Sequence, residues 1–473
     1  MNFVSWAFAA LFAVVFAARL TVGRRKVEPA YVAVLLVSSL VFYGWHVPAY
    51  LLVLVGSALV DFLAARAMGR LGPDRHARRR ALLSVSLVAN LGLLAFFKYG
   101  NFAAQAAEDL GAMLGRSWRL PEMHLVLPMG ISFYTFQTLS YTIDVYRRHL
   151  APVASFWRFL LFISFFPQLV AGPIVRASEF LPQMPRPRRL RLRVFYEGMW
   201  LVITGLFLKM VCADNLAAYV DEYWARGSAP GTDATFSLWL SLMFSGQIFA
   251  DFCGYSTIAR GLGYLLGYHF PTNFNTPYIA ATFKGFWERW HITLSRWLRD
   301  YLYVPLGGNR GSPLRTYVNL LLVMLLGGLW HGAAYTFLAW GAIHGLCLAL
   351  ERALKLHRHD GTPRPAWLRG TWAVFVQLAV LIAWIYFRSD TVDGASAFVA
   401  NLALGAWTAP DPWMLASLLF LAPLVAMHAH AWGDDRGLIA PLGAGAKAAL
   451  AAGMTYGILT LYGGTSDFIY FQF

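Results

Sequence analysis

The sequence predicts an all-α polytopic membrane protein, and three observations carry that prediction. Of its 473 residues, 58% are hydrophobic and 13% charged, where a soluble globular domain carries about 25% charged residues. Apolar stretches of about 20 residues, the length that crosses a bilayer core, recur along the whole chain. The basic residues behind a formal charge of +15 gather in short connecting segments. That is the distribution of positive-inside topology, not of a surface for nucleic acid.

Taken in order, the apolar segments predict helices over 5–22, 29–45, 48–67, 81–98, 125–144, 194–213, 235–266, 316–350 as a broken pair, 371–388, 412–430 and 445–463. About eleven transmembrane helices result, with re-entrant and interfacial helices around a central tunnel, in one membrane domain over 1–473. The first segment lacks a basic stretch before it and is followed by Arg24, Arg25 and Lys26, so it reads as a spanning helix and not as a cleaved signal. Basic loops at Arg24–Lys26, Arg70–Arg80, Arg147–Arg148, Arg186–Arg193 and Arg352–Arg369 belong on the cytoplasmic side. Asp214, Asp221, Glu222 and Asp233 mark an acidic connection suited to the outer side. Cys212, Cys253 and Cys347 are far apart and suggest neither a disulfide framework nor a thiolate metal site.

Two segments resist simple spans. Residues 155–175 are long enough to cross, yet basic residues flank both ends and Pro167, Gly172 and Pro173 interrupt a helix. A re-entrant hairpin satisfies both constraints. The stretch Thr316–Leu350 holds 35 residues without Asp, Glu, Lys or Arg. As one helix it would reach roughly 52 Å, against a core of about 30 Å. A pair of shortened helices that break near Gly327-Gly328 or His331-Gly332 leaves His331 inside the membrane. A titratable ring at that depth marks a functional site by default.

A second histidine lies in 273–311, a stretch too polar to span and rich in aromatic residues. Read as one helix from Phe283 to Tyr303, it places Trp287, Trp290, Leu294, Trp297, Leu298 and Tyr301 on one face. Glu288, Ser295 and Arg299 fall on another, with Arg289, Arg296 and Asp300 beside them and His291 at the seam. Such a helix lies along the interface or at a cavity mouth. The following turn, PLGGNRG, offers backbone N–H groups and Arg310 to an anionic ligand.

Six motifs resemble those of the membrane-bound O-acyltransferase family, in its bacterial polysaccharide branch. They are PMGISFYTFQTLSYTIDVYR (128–147), FFPQLVAGPI (165–174), QIFADFCGYSTIARGLGYLLGYHFPTNFNTPY (247–278), FWERWHITLSRWLRDYLYVPLGGNRG (286–311), LLGGLWHGAAYTFLAWGAIHG (325–345) and FIYFQF (468–473). Cys253 and Thr257 depart from the pattern, standing where a serine and a carboxylate are expected. The resemblance implies transfer of an acyl group, usually acetyl from cytosolic acetyl-CoA, across a bacterial inner membrane to an acceptor outside. It implies acetyl-CoA as a consumed donor with no permanently bound cofactor, a periplasmic acetyltransferase partner and a polysaccharide acceptor. Which polymer is modified, and whether the group is acetyl or D-alanyl from a carrier protein, stays open.

The resemblance assigns catalysis to His331 and His291. A neutral imidazole at His331 suits a general base on an acceptor hydroxyl, or a transient acyl carrier; the competing reading is a structural histidine at a helix break. His291 suits acceptor orientation, oxyanion stabilisation or support of the cavity. Trp330, Asn273, Asn275, Arg289, Arg299, Asp300 and Arg310 are the substrate-binding candidates. Tyr134, Gln137 and Asp144 are weaker ones. Asp251 reads as structural, paired with a buried base or a backbone donor, and His344 as a bonded core histidine. His357, His359, His428 and His430 carry no readable role. Two rivals remain. Glu288-x-x-His291 is a di-iron pattern, but the apolar segments hold too few further carboxylates for that chemistry. A transporter would share the broken helices but would show inverted repeats.

Overall fold

The computed structural model describes residues 2–21, 29–72, 74–121, 123, 126–169, 172–185, 187–356, 365–436, 438, 442–464 and 468. Among them every regular element is helical. Among the described residues seven helices are long and apolar enough to cross a membrane: Tyr50–Gly69, His76–Met113, Leu192–Gly227, Ala234–Leu266, Pro313–His331, Ala366–Arg388 and Pro412–Asp434. Trp6–Thr21, Pro29–Gly44 and Val392–Leu404 are shorter apolar helices. Of the basic loops, Arg24–Lys26, Arg186 and residues 357–364 with His357 and His359 lie outside the described residues, as does all of FIYFQF except Phe468. The chain packs into two compact units, Met1–Met199 with Ala259–Pro271, and Trp200–Ile258 with Thr272–Phe473.

In the first unit, buried polar side chains tie helices together. Asp61 is fully buried and accepts from Asn90 Nδ2 at 2.9 Å, from Thr142 Oγ1 at 3.1 Å and from Ser86 Oγ. Asn90 Oδ1 in turn accepts from Ser57 Oγ at 2.7 Å and Thr138 Oγ1 at 3.2 Å. A buried carboxylate is tolerable only when donors surround it in this way. Arg79, counted above among loop charges, is buried. Its guanidinium donates to the carbonyls of Met68, Val145 and Tyr146 at 2.6, 3.0 and 2.8 Å. It therefore clamps two helix C-termini, where the backbone leaves carbonyls unpaired and the dipole favours a cation.

Several boundaries differ from the sequence reading. The helix expected over 125–144 starts only at Ile131, because Pro128 and the left-handed Gly130 (φ 72°) hold the chain out of helix. Residues 155–175 form two short helices, Phe156–Ser164 and Phe166–Leu169. With 9 and 4 residues, neither is long enough to cross a core of about 30 Å. Gln137, a polar-lining candidate, is fully buried there on Ile131–Tyr146.

In the second unit most of the acidic connection is helical, and of its four residues only Asp233 lies in a loop, just before Ala234–Leu266. Asp214, Asp221 and Glu222 lie on the helix Asp214–Gly227, joined by the π turn Phe207–Ala213 to the helix before it. The reason is Lys209 Nζ, which sits 2.7 Å from Asp214 and 2.8 Å from Asp251, with all three side chains buried. Of the two partners expected for Asp251, a buried base or a backbone donor, the structure supplies the base. Asp221 reaches Arg388 at 2.8 Å.

The long charge-free stretch does fold as a helix pair, Pro313–His331 and Tyr335–Ala353. The break falls after His331, where Gly332 (φ −153°, ψ 149°) and Ala334 (φ −150°, ψ 161°) are extended. The helices are not shortened, however. Each has 19 residues, near 28 Å at 1.5 Å per residue, because Ser312 caps the first below Arg315 and the second runs past Glu351. The two pack closely: a Cβ on Gly328 would lie 2.2 Å from the Phe337 carbonyl oxygen, and one on Gly341 2.4 Å from that of Met324. Small residues at such crossings let helix backbones approach where lipid gives no hydrophobic drive.

Candidate functional site

The expected helix from Phe283 to Tyr303 is broken in the middle. It comprises Phe283–Trp287, Ile292–Leu298 and a π turn Arg299–Tyr303. His291 sits at the break in the left-handed conformation (φ 40°, ψ 54°). A non-glycine residue there is strained, and such strain clusters at functional sites. The kink is held from outside the helix. Ile292 N donates to Asn273 O at 2.9 Å, and Asn275 N to Arg289 O at 2.9 Å. Glu351 fixes the first half, its carboxylate accepting from Phe283 N at 2.6 Å, Lys284 N at 3.0 Å and Trp372 Nε1 at 3.1 Å. That is a buried anion on a helix N-terminus. The break turns Trp290 and His291 into the protein, both with no exposed surface, so they do not lie at a headgroup-facing seam.

The two histidines meet. His331, at the end of its helix, is 3% exposed, and its ring centroid is 6.4 Å from that of His291. Aromatic rings wall the pair. Around His331 stand Trp330 (5.0 Å), Trp340 (5.1 Å) and Phe387 (5.4 Å). Around His291 stand Phe252 (4.6 Å), Trp330 (6.0 Å) and Phe274 (6.4 Å). Trp290 extends the wall to Trp384 at 4.7 Å. The two imidazoles thus share one buried, aromatic-walled centre.

Asn273 joins this centre, but through its protein contacts. Its Oδ1 accepts from Thr293 Oγ1 at 2.8 Å and Thr293 N at 3.2 Å, and lies 3.1 Å from His291 Nδ1. Its Nδ2 donates to Ser256 Oγ at 3.1 Å. Trp330 lies against both histidines. The remaining binding candidates do not converge there. Asn275 is exposed. Arg289 donates to Asp435 at 2.7 Å and to Asn275 O at 3.1 Å. Arg299 pairs with its neighbour Asp300 at 2.6 Å, and Arg310 is exposed on the glycine turn. The N–H groups of that turn are largely spent on itself: Gly307 donates to Val304, Gly308 to Tyr303 and Arg310 to Gly307. From below, Asn319 Nδ2 holds the Gly308 carbonyl at 3.2 Å. This corrects the expectation of an open anion cradle.

Glu288 is 63% exposed, 3.5 Å from Lys284, while His291 is fully buried, so the Glu-x-x-His pattern does not converge on one ion. His344 departs from the bonded core histidine expected of it. It is 1% exposed, stacked on Phe286 at 5.9 Å and edge-on to Trp340 at 4.8 Å, and neither ring nitrogen has a hydrogen-bond partner among the described residues. His428 Nδ1 lies 2.8 Å from the Leu424 carbonyl. Thr257 Oγ1 donates to Cys253 O within its own helix at 2.6 Å. Sequence reasoning missed Ser256, Thr293, Trp340 and Phe387. Thr293, two residues from His291, carried a local signal; Ser256 and Trp340 lie within the quoted motifs without being singled out there, and Phe387 comes from Ala366–Arg388, outside those motifs.

Known proteins match this sequence. Residues 112–389 match the model of the membrane-bound O-acyltransferase family. The chain is 40% identical over 379 residues to a protein of Azotobacter vinelandii named probable alginate O-acetylase, covering 80% of this chain and 74% of that one. It is 37% identical over 392 residues to the peptidoglycan O-acetyltransferase of Helicobacter pylori, covering 76% and 71%. The teichoic acid D-alanyltransferase of Bacillus subtilis is 27% identical over 239 residues, covering 48% and 60%.

Proposed function

The chain belongs to the membrane-bound O-acyltransferase family, and from that membership together with the buried histidine pair we propose that it transfers an acetyl group from cytosolic acetyl-CoA to an extracytoplasmic acceptor, for O-acetylation of a cell-surface or secreted polysaccharide. As a member it is a multi-pass membrane acyltransferase. The observation that carries the proposal is the pairing of His331 with His291 at 6.4 Å inside an aromatic wall, in a chain whose relatives are named for O-acetylation of alginate and peptidoglycan.

The chemistry follows from the imidazole. His331 takes the proton of the acceptor hydroxyl as its oxygen forms a bond to the thioester carbonyl carbon. The C–S bond then breaks, and the imidazolium returns the proton to the thiolate. An ester and free coenzyme A leave. Brief residence of the acetyl group on His331 is the alternative course of the same transfer. Aromatic walls exclude water, which would otherwise hydrolyse the thioester and weaken the electrostatics of the centre. The donor is consumed and no cofactor stays bound. The setting that fits is a bacterial inner membrane, with a periplasmic partner protein completing delivery to the polymer.

The test uses purified protein in nanodiscs with radiolabelled acetyl-CoA. His331→Ala is expected to lower coenzyme A release and label transfer at least about 100-fold while the protein stays folded and inserted. Full activity in that variant overturns the assignment. The similarity to a teichoic acid D-alanyltransferase favours one second reading, an acyl group delivered on a carrier protein. Turnover with an acylated carrier protein, and none with acetyl-CoA, would select it.

A further inference from the structure

The hydrogen bonds around Asn273 determine which nitrogen of His291 carries a proton. Asn273 Oδ1 receives the backbone N–H of Thr293, a group that can only donate. The amide orientation is thereby fixed, since the reverse orientation would set an NH2 against an N–H. Thr293 Oγ1 and Ser256 Oγ complete the set on Oδ1 and Nδ2. His291 Nδ1 faces the same Oδ1 at 3.1 Å, so Nδ1 must hold the hydrogen. In the neutral ring, Nε2 is then a bare lone pair. It is buried, has no hydrogen-bond partner among the described residues, and belongs to the ring beside His331.

We propose that Asn273 is a positioning residue that locks His291 as the Nδ1–H tautomer, so that His291 meets the acceptor substrate as a hydrogen-bond acceptor through Nε2. It takes a hydrogen bond from a hydroxyl of the acceptor and holds the attacking oxygen toward the carbonyl carbon beside His331. A neutral ring in this tautomer has no hydrogen to offer a developing oxyanion, so that role falls to other groups. The left-handed backbone of His291 is strained, and it occurs at the residue whose Nδ1 meets Asn273. The substrate part of this assignment rests on the acetyl-transfer reading above; the tautomer does not.

Two measurements test it. The first is nitrogen NMR of protein labelled at histidine, in nanodiscs without substrate, with the His291 signals assigned by difference from His291→Gln. A protonated Nδ1 and an unprotonated Nε2 are expected; a protonated Nε2 in the neutral ring overturns the proposal. This readout stands even if acetyl-CoA proves not to be the donor, which separates the two claims. The second is kinetic. Asn273→Asp keeps the oxygen that accepts from Thr293 and His291 but adds a charge that favours imidazolium. Protonation removes the Nε2 lone pair, so the acidic limb of the activity–pH profile should move to higher pH. Asn273→Ala should raise the KM for the acceptor roughly tenfold or more, with the donor KM unchanged. An unshifted acidic limb in Asn273→Asp, or equal loss on both substrates in a folded Asn273→Ala protein, overturns the positioning role.

Discussion

His291 and His344 are both buried histidines lined by aromatic rings, and they differ in what their nitrogens meet. One is bound to Asn273 on a strained backbone; the other packs with both nitrogens unpaired among the described residues. An imidazole buried without partners carries an uncompensated desolvation cost of about 1–3 kcal/mol. His344→Phe fills nearly the same space between Phe286 and Trp340 and removes that cost. The expected outcome is a thermal midpoint equal to or above wild type, with acyl transfer retained, read by fluorescence-detected unfolding and the labelled-acetyl assay. A large loss of turnover with unchanged stability would move His344 into the reaction centre. The sequence separated the two only through the family resemblance, which marked His291 and left His344 as a bonded core histidine. That His344 lacks partners among the described residues emerges only from the contacts, because hydrogen-bond satisfaction is a property of neighbours brought together by the fold.

At the scale of elements, the site depends on two junctions. The first is the crossing of Pro313–His331 with Tyr335–Ala353, which carries His331 to its place. Gly341→Val sets a branched side chain against the Met324 carbonyl, 2.4 Å from where a Cβ would stand. Overpacking of this kind costs about 1–3 kcal/mol and pushes the helices apart. A lower unfolding midpoint together with lost activity is expected; unchanged behaviour of both would show that the crossing is looser than drawn. The second junction is Glu351 on the start of Phe283–Trp287. Glu351→Ala leaves two backbone N–H groups and the Trp372 indole unpaired, a loss of about 1–3 kcal/mol for each that stays buried. Glu351→Gln, which keeps one good acceptor, should lose less. The existence of the helix pair was legible from its charge-free length and from Gly332. The interruption at His291 was not, because residues 283–303 have a good helical period and the break is imposed by 273–275 from another part of the chain.

At the scale of the molecule, the buried charges decide more than the count of spans. Lys209 lies between Asp214 and Asp251 with all three out of water. Removing the cation alone leaves two buried carboxylates, at a cost of about 3–5 kcal/mol. Lys209→Met should therefore fail to accumulate in the membrane. The triple variant Lys209→Met, Asp214→Leu, Asp251→Leu should recover much of the loss, as measured by the yield of monodisperse protein in detergent. No recovery would assign the triad a role beyond mutual neutralisation. Likewise Arg79, one of the basic residues behind the +15 charge, works as a buried clamp on helix carbonyls. The sequence by itself determined the all-helical membrane class, the broken pair around His331 and the relation to an acyltransferase family, and it marked the two histidines as candidates. Those depend on composition, length and short motifs, which are local properties of the chain. Tertiary structure alone decided that the histidine rings lie 6.4 Å apart, that Asn273 meets Nδ1 of one of them, and that the basic turn after Tyr303 is closed on itself. Each of these depends on which distant donors and acceptors come within about 3 Å, and no spacing along the chain encodes that.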